Sequence, residues 1–130
     1  MFEFDGQVCL VTGAGNPNGI GFGCAKQLGL SGGTVIITAT TERIYERVEE
    51  LKTMGVRKVY GCIANLCDRK AVKTLITEIT EQHGTIDVLV NNAGNASIAD
   101  REKGDIHANL CDMDDKTWDA IIERNLTLTY

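Results

Sequence analysis

The 130-residue sequence has one proline, one tryptophan, two histidines and only 5% aromatic residues. It has no apolar run near the roughly 20 residues that a membrane-spanning helix requires. Its thirteen lysines and arginines, against eighteen acids, form no basic run, and the net charge is −5. Without a basic stripe to track a phosphate backbone, nucleic acid is not an expected partner, and neither is a membrane. The start, Met1-Phe2-Glu3-Phe4-Asp5, lacks the basic-then-apolar order of a secretory signal, so the expected compartment is the cytoplasm. Five cysteines (Cys9, Cys24, Cys62, Cys67, Cys111) are an odd number with no Cys-x-x-Cys pair. That argues against both a disulfide framework and a zinc site, and no metal is expected. Cys9, Cys24 and Cys62 read instead as small buried apolar groups.

What remains is an ordinary globular composition, 43% hydrophobic and 24% charged. The length suits one domain, residues 1–130, with a real core. Apolar β-branched runs alternate with helix-period segments, the pattern of a parallel sheet covered by crossover helices. Gln7 to Thr12 is expected as a central strand, followed by a glycine-rich turn. A helix from Gly19 to about Leu30 then carries Ile20, Ala25 and Leu28 inward, ending at Gly32-Gly33.

Thr34 to Ala39 forms the second strand. Thr41 is the expected N-cap of a helix whose Ile44, Val48 and Leu51 recur at helical spacing, and Gly55 stops it. Lys58 to Ile63 is the third strand. Asp68 caps a helix that buries Val72, Leu75, Ile76 and Ile79 and closes at Gly84, after which Asp87 to Val90 is the fourth strand. The polar stretch from Asn95 to Asp112 is either a substrate loop or disordered. A last amphipathic helix begins near Asp114 and carries Trp118, Ile121, Ile122 and Leu126. Right-handed crossovers make this an α/β, Rossmann-type doubly wound parallel sheet in the order 3-2-1-4, with helices on both faces. The ligand crevice then falls at the carboxyl ends of strands 1 and 4.

Strand 1 ends in Thr12-Gly13-Ala14-Gly15-Asn16-Pro17-Asn18-Gly19-Ile20-Gly21. Glycines there let backbone approach a pyrophosphate at a helix N-terminus, where amides bind it. The common G-x-G-x-x-G fingerprint fails because Asn18 occupies its third glycine position, whereas G-x-x-x-G-x-G fits through Gly15, Gly19 and Gly21. An ordinary glycine-rich turn is the competing structural account. Strand 4 runs into Asn91-Asn92-Ala93-Gly94, and a later helix reads Trp118-Asp119-Ala120-Ile121-Ile122-Glu123-Arg124-Asn125-Leu126.

Together these three motifs resemble those of the short-chain dehydrogenase/reductase family, nearest in type to its 3-oxoacyl-carrier-protein reductases. The resemblance implies an NAD(P)-dependent oxidoreductase that moves a hydride between a nicotinamide and a small-molecule carbonyl or alcohol. Two readings from other classes are a non-catalytic nucleotide-binding module and a Rossmann-like methyltransferase. Five residues separate Gly13 from Gly19 where the family has three, so whether Gly13 or Gly15 takes the first-glycine role is open. Pro17 restricts the longer turn.

By resemblance, Asn18, Gly19, Ile20 and Gly21 face the pyrophosphate, and Asn92, Ala93 and Gly94 line the ribose and nicotinamide side. Asn65 and Leu66 stand where an aspartate usually reaches the adenine, though Asn65 is equally a turn residue before the Asp68 cap. Asn125 matches the family's helix asparagine, the one catalytic residue in this stretch, against the alternative of a satisfied surface group. NAD-preferring enzymes place an acid at the end of strand 2, where this chain has Ala39, Thr40 and Thr41. Arg43 offers a fork for a 2′-phosphate, or is a solvated helix-face arginine. NADP is therefore the expected cofactor, with NAD as the alternative. His83 and His107 suggest no chemistry.

The family's catalytic serine, tyrosine and lysine are expected beyond this stretch. Four residues after Tyr45 comes Glu49, four after Tyr60 comes Ala64, and Tyr130 is the last residue. These 130 residues alone are expected not to turn over substrate, and to be poorly soluble, to self-associate, or to exist only as the ordered part of a longer polypeptide. In the full-length protein the helix from Asp114 to Tyr130 is expected to build a homo-oligomer.

Overall fold

The computed structural model describes residues 3–94 and 114–129. Strand β1 (Val8–Val11) leads to helix α1 (Ile20–Leu30), then β2 (Thr34–Ala39), α2 (Arg43–Thr53), β3 (Val59–Ile63), α3 (Arg69–His83) and β4 (Val88–Val90). Helix α4 (Asp115–Asn125) and a 3-10 turn at Thr127–Thr129 follow. The chain divides into two compact units, Met1–Ala93 and Gly94–Tyr130.

The first unit is a four-stranded sheet in the order β3-β2-β1-β4, with all three pairings parallel. Its core follows from the two-residue period of a strand, which sends neighbouring side chains to opposite faces. Cys9, Val11, Val35 and Ile37 pack with Phe22 and Ala25 of α1 and Ile44, Val48 and Leu51 of α2. Val8, Leu10 and Ile36 pack against Leu75 and Ile79 of α3 on the other face. Strands buried on both sides have no polar alternation, which is why β1 and β2 read as continuous apolar runs. Asp87 fixes β1 at its start: its carboxylate accepts from the Val8 N–H at 2.8 Å, and its own N–H donates to the Val8 carbonyl at 2.9 Å.

Several expectations need correction. Ile20 does not point inward but is 79% exposed, because the first residue of α1 is not covered by the sheet among the described residues. Ala25 is buried as expected, with Gly21, Phe22 and Gly29, and Leu28 is half-buried against the same core. Thr41 does not cap α2. Glu42 holds the N-cap position in helical conformation without a side-chain cap, and Thr41 contributes only its carbonyl, to the Ile44 N–H. On α3, Leu75 and Ile79 are buried, whereas Val72 is half-buried and Ile76 exposed, because the helix covers the sheet with a narrower stripe than its apolar content suggests. Cys24 and Cys62 are half-buried, and Cys9 alone of the three is fully enclosed.

Asp68 caps α3 as expected, accepting from Lys70 and Ala71, and Gly84 is that helix's C-cap. His83 ends the helix with its ring 4.3 Å from that of Tyr60. The stretch from Asn95 to Asp112, with His107 and Cys111, lies outside the described residues. In the second unit Asp114 caps α4 through the Thr117 N–H, and Trp118, Ile121 and Leu126 are exposed. No helix among the described residues is long and apolar enough to cross a membrane.

Candidate cofactor-binding site

At the carboxyl end of β1 the buried Thr12 ties two distant segments together. Its hydroxyl accepts from the N–H of Asn92 at 3.1 Å and of Ala93 at 3.0 Å, and donates to the Val90 carbonyl at 3.3 Å. One donor and two acceptor positions are thereby all used. Asn92 answers from the other side, its Nδ2 donating to the carbonyls of Thr12 and Gly13, each at 3.0 Å. The side-chain amide that the sequence assigned to the ribose and nicotinamide side thus holds the glycine-rich turn.

Two glycines are required by this interlock. Gly13 has φ +70°, and a Cβ there would lie 2.6 Å from the Ala93 Cα. A Cβ on Gly21 would collide with the Asn92 amide and stand 3.0 Å from the Gly13 carbonyl oxygen. Gly13 is thus the position where turn and strand 4 make backbone contact. Gly15 faces β2 instead, with its missing Cβ 3.0 Å from that of Ala39.

The lengthened turn is ordered by Asn16 as well as Pro17. The Asn16 side-chain oxygen accepts from the Asn18 N–H, and its main-chain carbonyl accepts from the Gly19 N–H, both at 3.0 Å. Asn-Pro-Asn-Gly is a tight-turn sequence in which asparagine bonds its own backbone two residues on, a signal legible in the sequence. Gly19 is then the N-cap of α1 in extended conformation, with no side-chain cap and no acid in the first turn. A helix start of this kind leaves amide hydrogens and the positive end of the helix dipole for an anion. With no side chain capping it, this helix start fits a dinucleotide pyrophosphate.

At the end of β2, Ala39 is half-buried and Thr40, Thr41 and Arg43 are exposed. The first acid is Glu42, beyond the strand. The Ala14 N–H donates to the Thr38 carbonyl at 2.9 Å, which brings this end of β2 against the turn.

The short chain dehydrogenase family matches residues 7–130. The chain belongs to this family. It is 36% identical over 125 residues, 96% of this chain and 46% of the relative, to a 3-oxoacyl-acyl-carrier-protein reductase of Haemophilus influenzae. A short-chain dehydrogenase structure from Mycobacterium smegmatis superposes with a TM-score of 0.83 at 33% identity, covering 97% of this chain and 49% of that one. A metagenomic short-chain oxidoreductase solved with NADP gives 0.81 at 33% identity, over 98% and 53%. The chain spans about half the length of the curated relatives it matches.

The remaining family positions fall as follows. Asn65 accepts from the Cys67 N–H at 3.1 Å, and the Asp68 N–H donates to its carbonyl, so it builds the turn before α3. Leu66 packs against the α3 side of the core. Asn125, the last residue of α4, donates its amide to the Ile121 carbonyl at 3.0 Å, and with Gly94 it belongs to the second unit.

Sequence reasoning missed Arg47, whose buried guanidinium reaches the Gly15 carbonyl. The signal was present, since position 47 falls on the apolar stripe of α2, three residues after Ile44 and four before Leu51. A groove of about 400 Å³ between α2 and β3, lined by Tyr45, Tyr60 and Arg57 among others, shares no residue with these motifs.

Proposed function

We propose that residues 1–130 form the amino-terminal part of one nucleotide-binding domain of an oxidoreductase that takes NADP in preference to NAD and acts on a small carbonyl or alcohol. The observation that carries this is the Thr12–Asn92 interlock, which sets a bare glycine turn and an uncapped helix start at the carboxyl ends of β1 and β4. Gly13, Gly15, Ile20 and Gly21 would hold the pyrophosphate through main-chain amides, while Asn18 and Gly19, whose N–H groups are taken by Asn16, would shape the turn around it. Ala93 and Gly94 would line the ribose side. When bound, the nicotinamide supplies or accepts the hydride.

Preference for NADP rests on the β2 end, where Ala39, Thr40 and Thr41 put no carboxylate against a 2′-phosphate and Arg43 lies close by in sequence. The metagenomic relative solved with NADP supports it. The homology to 3-oxoacyl-acyl-carrier-protein reductases favours a carbonyl substrate. With no Tyr-x-x-x-Lys, a polypeptide of these residues alone is proposed to bind cofactor without turnover. The exposed apolar face of α4 is proposed to join subunits of a cytoplasmic homo-oligomer. Calorimetric titration with NADPH and NADH is the test: tighter binding of NADPH is expected, and equal affinity or preference for NADH would defeat the cofactor assignment.

A further inference from the structure

Arg47 is a buried cation that bridges two elements. Its side chain is 8% exposed, and its two acidic partners on the same helix, Glu50 and Glu46, are 39% and 66% exposed. Both carboxylates take the same nitrogen, Nη2, at 2.6 Å and 3.2 Å. Nη1 turns the other way, to the Gly15 carbonyl 32 positions earlier, at 3.5 Å. The Nε hydrogen is buried with no partner. Enclosing a guanidinium is unfavourable unless it is paired and hydrogen-bonded. Neutralising the two glutamates does not explain the burial, because a cation at the solvent edge of α2 would do that without desolvation. What burial adds is the link to the turn.

That link falls where the turn has least other support. Asn16 closes the far part through Asn18 and Gly19, and the Ala14 N–H holds the near part to Thr38. Between them, the Gly15 carbonyl has Arg47 as its donor among the described residues. We infer that Arg47 is a positioning residue: it holds Gly15 so that the amides following it stand at a fixed distance from the start of α1. This rests on the proposed cofactor reading, which gives those amides a phosphate to bind. The role differs from a direct 2′-phosphate contact, because Glu46 and Glu50 already neutralise the guanidinium.

The experiment compares the chain with Arg47→Met, which keeps the apolar stem and removes the donors, and Arg47→Lys, which keeps charge but not the fork. Amide exchange of residues 14–19 is followed by NMR in the free protein, and NADPH and NADH affinities are measured by titration. The expected result for Arg47→Met is faster exchange at the hydrogen-bonded amides that flank Gly15, those of Ala14, Asn18 and Gly19, and about tenfold weaker binding of both cofactors. Their ratio should stay unchanged. If Arg47→Met does not fold, Arg47→Lys carries the same readouts with a smaller loss. Unchanged exchange and affinity in a folded variant would overturn the inference. So would weakening of NADPH alone, which would make Arg47 a phosphate contact. If the parent chain binds neither cofactor, the cofactor reading fails, and the exchange rates at Ala14, Asn18 and Gly19 still decide whether Arg47 holds the turn.

Discussion

The carboxamide of Asn92 occupies the space beside Gly21 that any Cβ on that residue would need. The same amide donates to the Thr12 and Gly13 carbonyls. One side chain therefore sets how near α1 can come to the end of β4 and how the turn leaves β1. The two motifs, some 70 residues apart in sequence, act as one packed unit. Gly21→Ala should displace Asn92 and destabilise the protein by about 1–3 kcal/mol, the usual cost of overpacking a filled site. With Asn92→Ala in the background, the added methyl still meets the Gly13 oxygen at 3.0 Å but not the amide. The second cost should then be smaller than the first, and urea unfolding of the four proteins measures the difference. Strict additivity would show that the two residues do not share this space.

Thr12 is the matching position on β1. Thr12→Val keeps the shape of the side chain but leaves the Asn92 and Ala93 N–H groups without their acceptor. Each unsatisfied buried donor costs about 1–3 kcal/mol, so a loss of about 2 kcal/mol or more is expected. Thr12→Ser retains the hydroxyl and should lose less. The midpoint of urea unfolding for both variants tests this, and equal losses would mean that the methyl, not the hydroxyl, matters.

How far the sequence revealed these relationships depended on how local they are. Thr34–Ala39 was legible to the residue because a strand buried on both faces is a continuous β-branched run. β1 came out as Val8–Val11, shorter than Gln7 to Thr12, although the Thr12 N–H still pairs with the Val90 carbonyl while its hydroxyl turns to the site. The face of α1 was misjudged at Ile20 because helical period alone does not say where the sheet ends. The glycines were legible as positions of close approach, but the sequence suggested a pyrophosphate there, whereas Gly13 and Gly21 are closed upon by Ala93 and Asn92. The partners of the Thr12 hydroxyl and of Arg47 were not legible, since they lie 78 to 81 and 32 positions away: the α2 stripe places Arg47 on the buried face, but nothing in a local window ties it to Gly15 or Thr12 to Asn92.

The thiols give a pH dependence. Burial, and secondarily the charge of Asp87, pushes the Cys9 pKa above its ordinary 9.0, and burial, with Glu78, does the same for Cys62. A group whose folded pKa is raised stabilises the fold fully below its unfolded pKa and loses that contribution as pH rises through the folded value. The part of stability due to these thiols should be constant up to about pH 9 and fall above it. Cys9→Ala should flatten that fall, which urea unfolding at stepped alkaline pH would show. In the native protein Cys67, exposed, should react with a thiol reagent before Cys9, as peptide mass mapping can follow.

Ala39 is where cofactor choice can be tested. Its Cβ lies 3.0 Å from the position a Cβ on Gly15 would take, so a side chain at 39 faces the glycine-rich turn. Ala39→Asp puts a carboxylate there, and two like charges about 4 Å apart in a partly screened site repel by several kcal/mol. The preference should therefore move toward NADH by at least about tenfold, through loss of NADPH affinity. Ala39→Asn has nearly the same volume without the charge, so it separates repulsion from crowding. If both variants weaken NADPH and NADH alike, the effect is steric displacement of Gly15, and the end of β2 does not read the 2′-phosphate. If only the aspartate variant discriminates, the absence of an acid between Thr38 and Thr41 selects the cofactor.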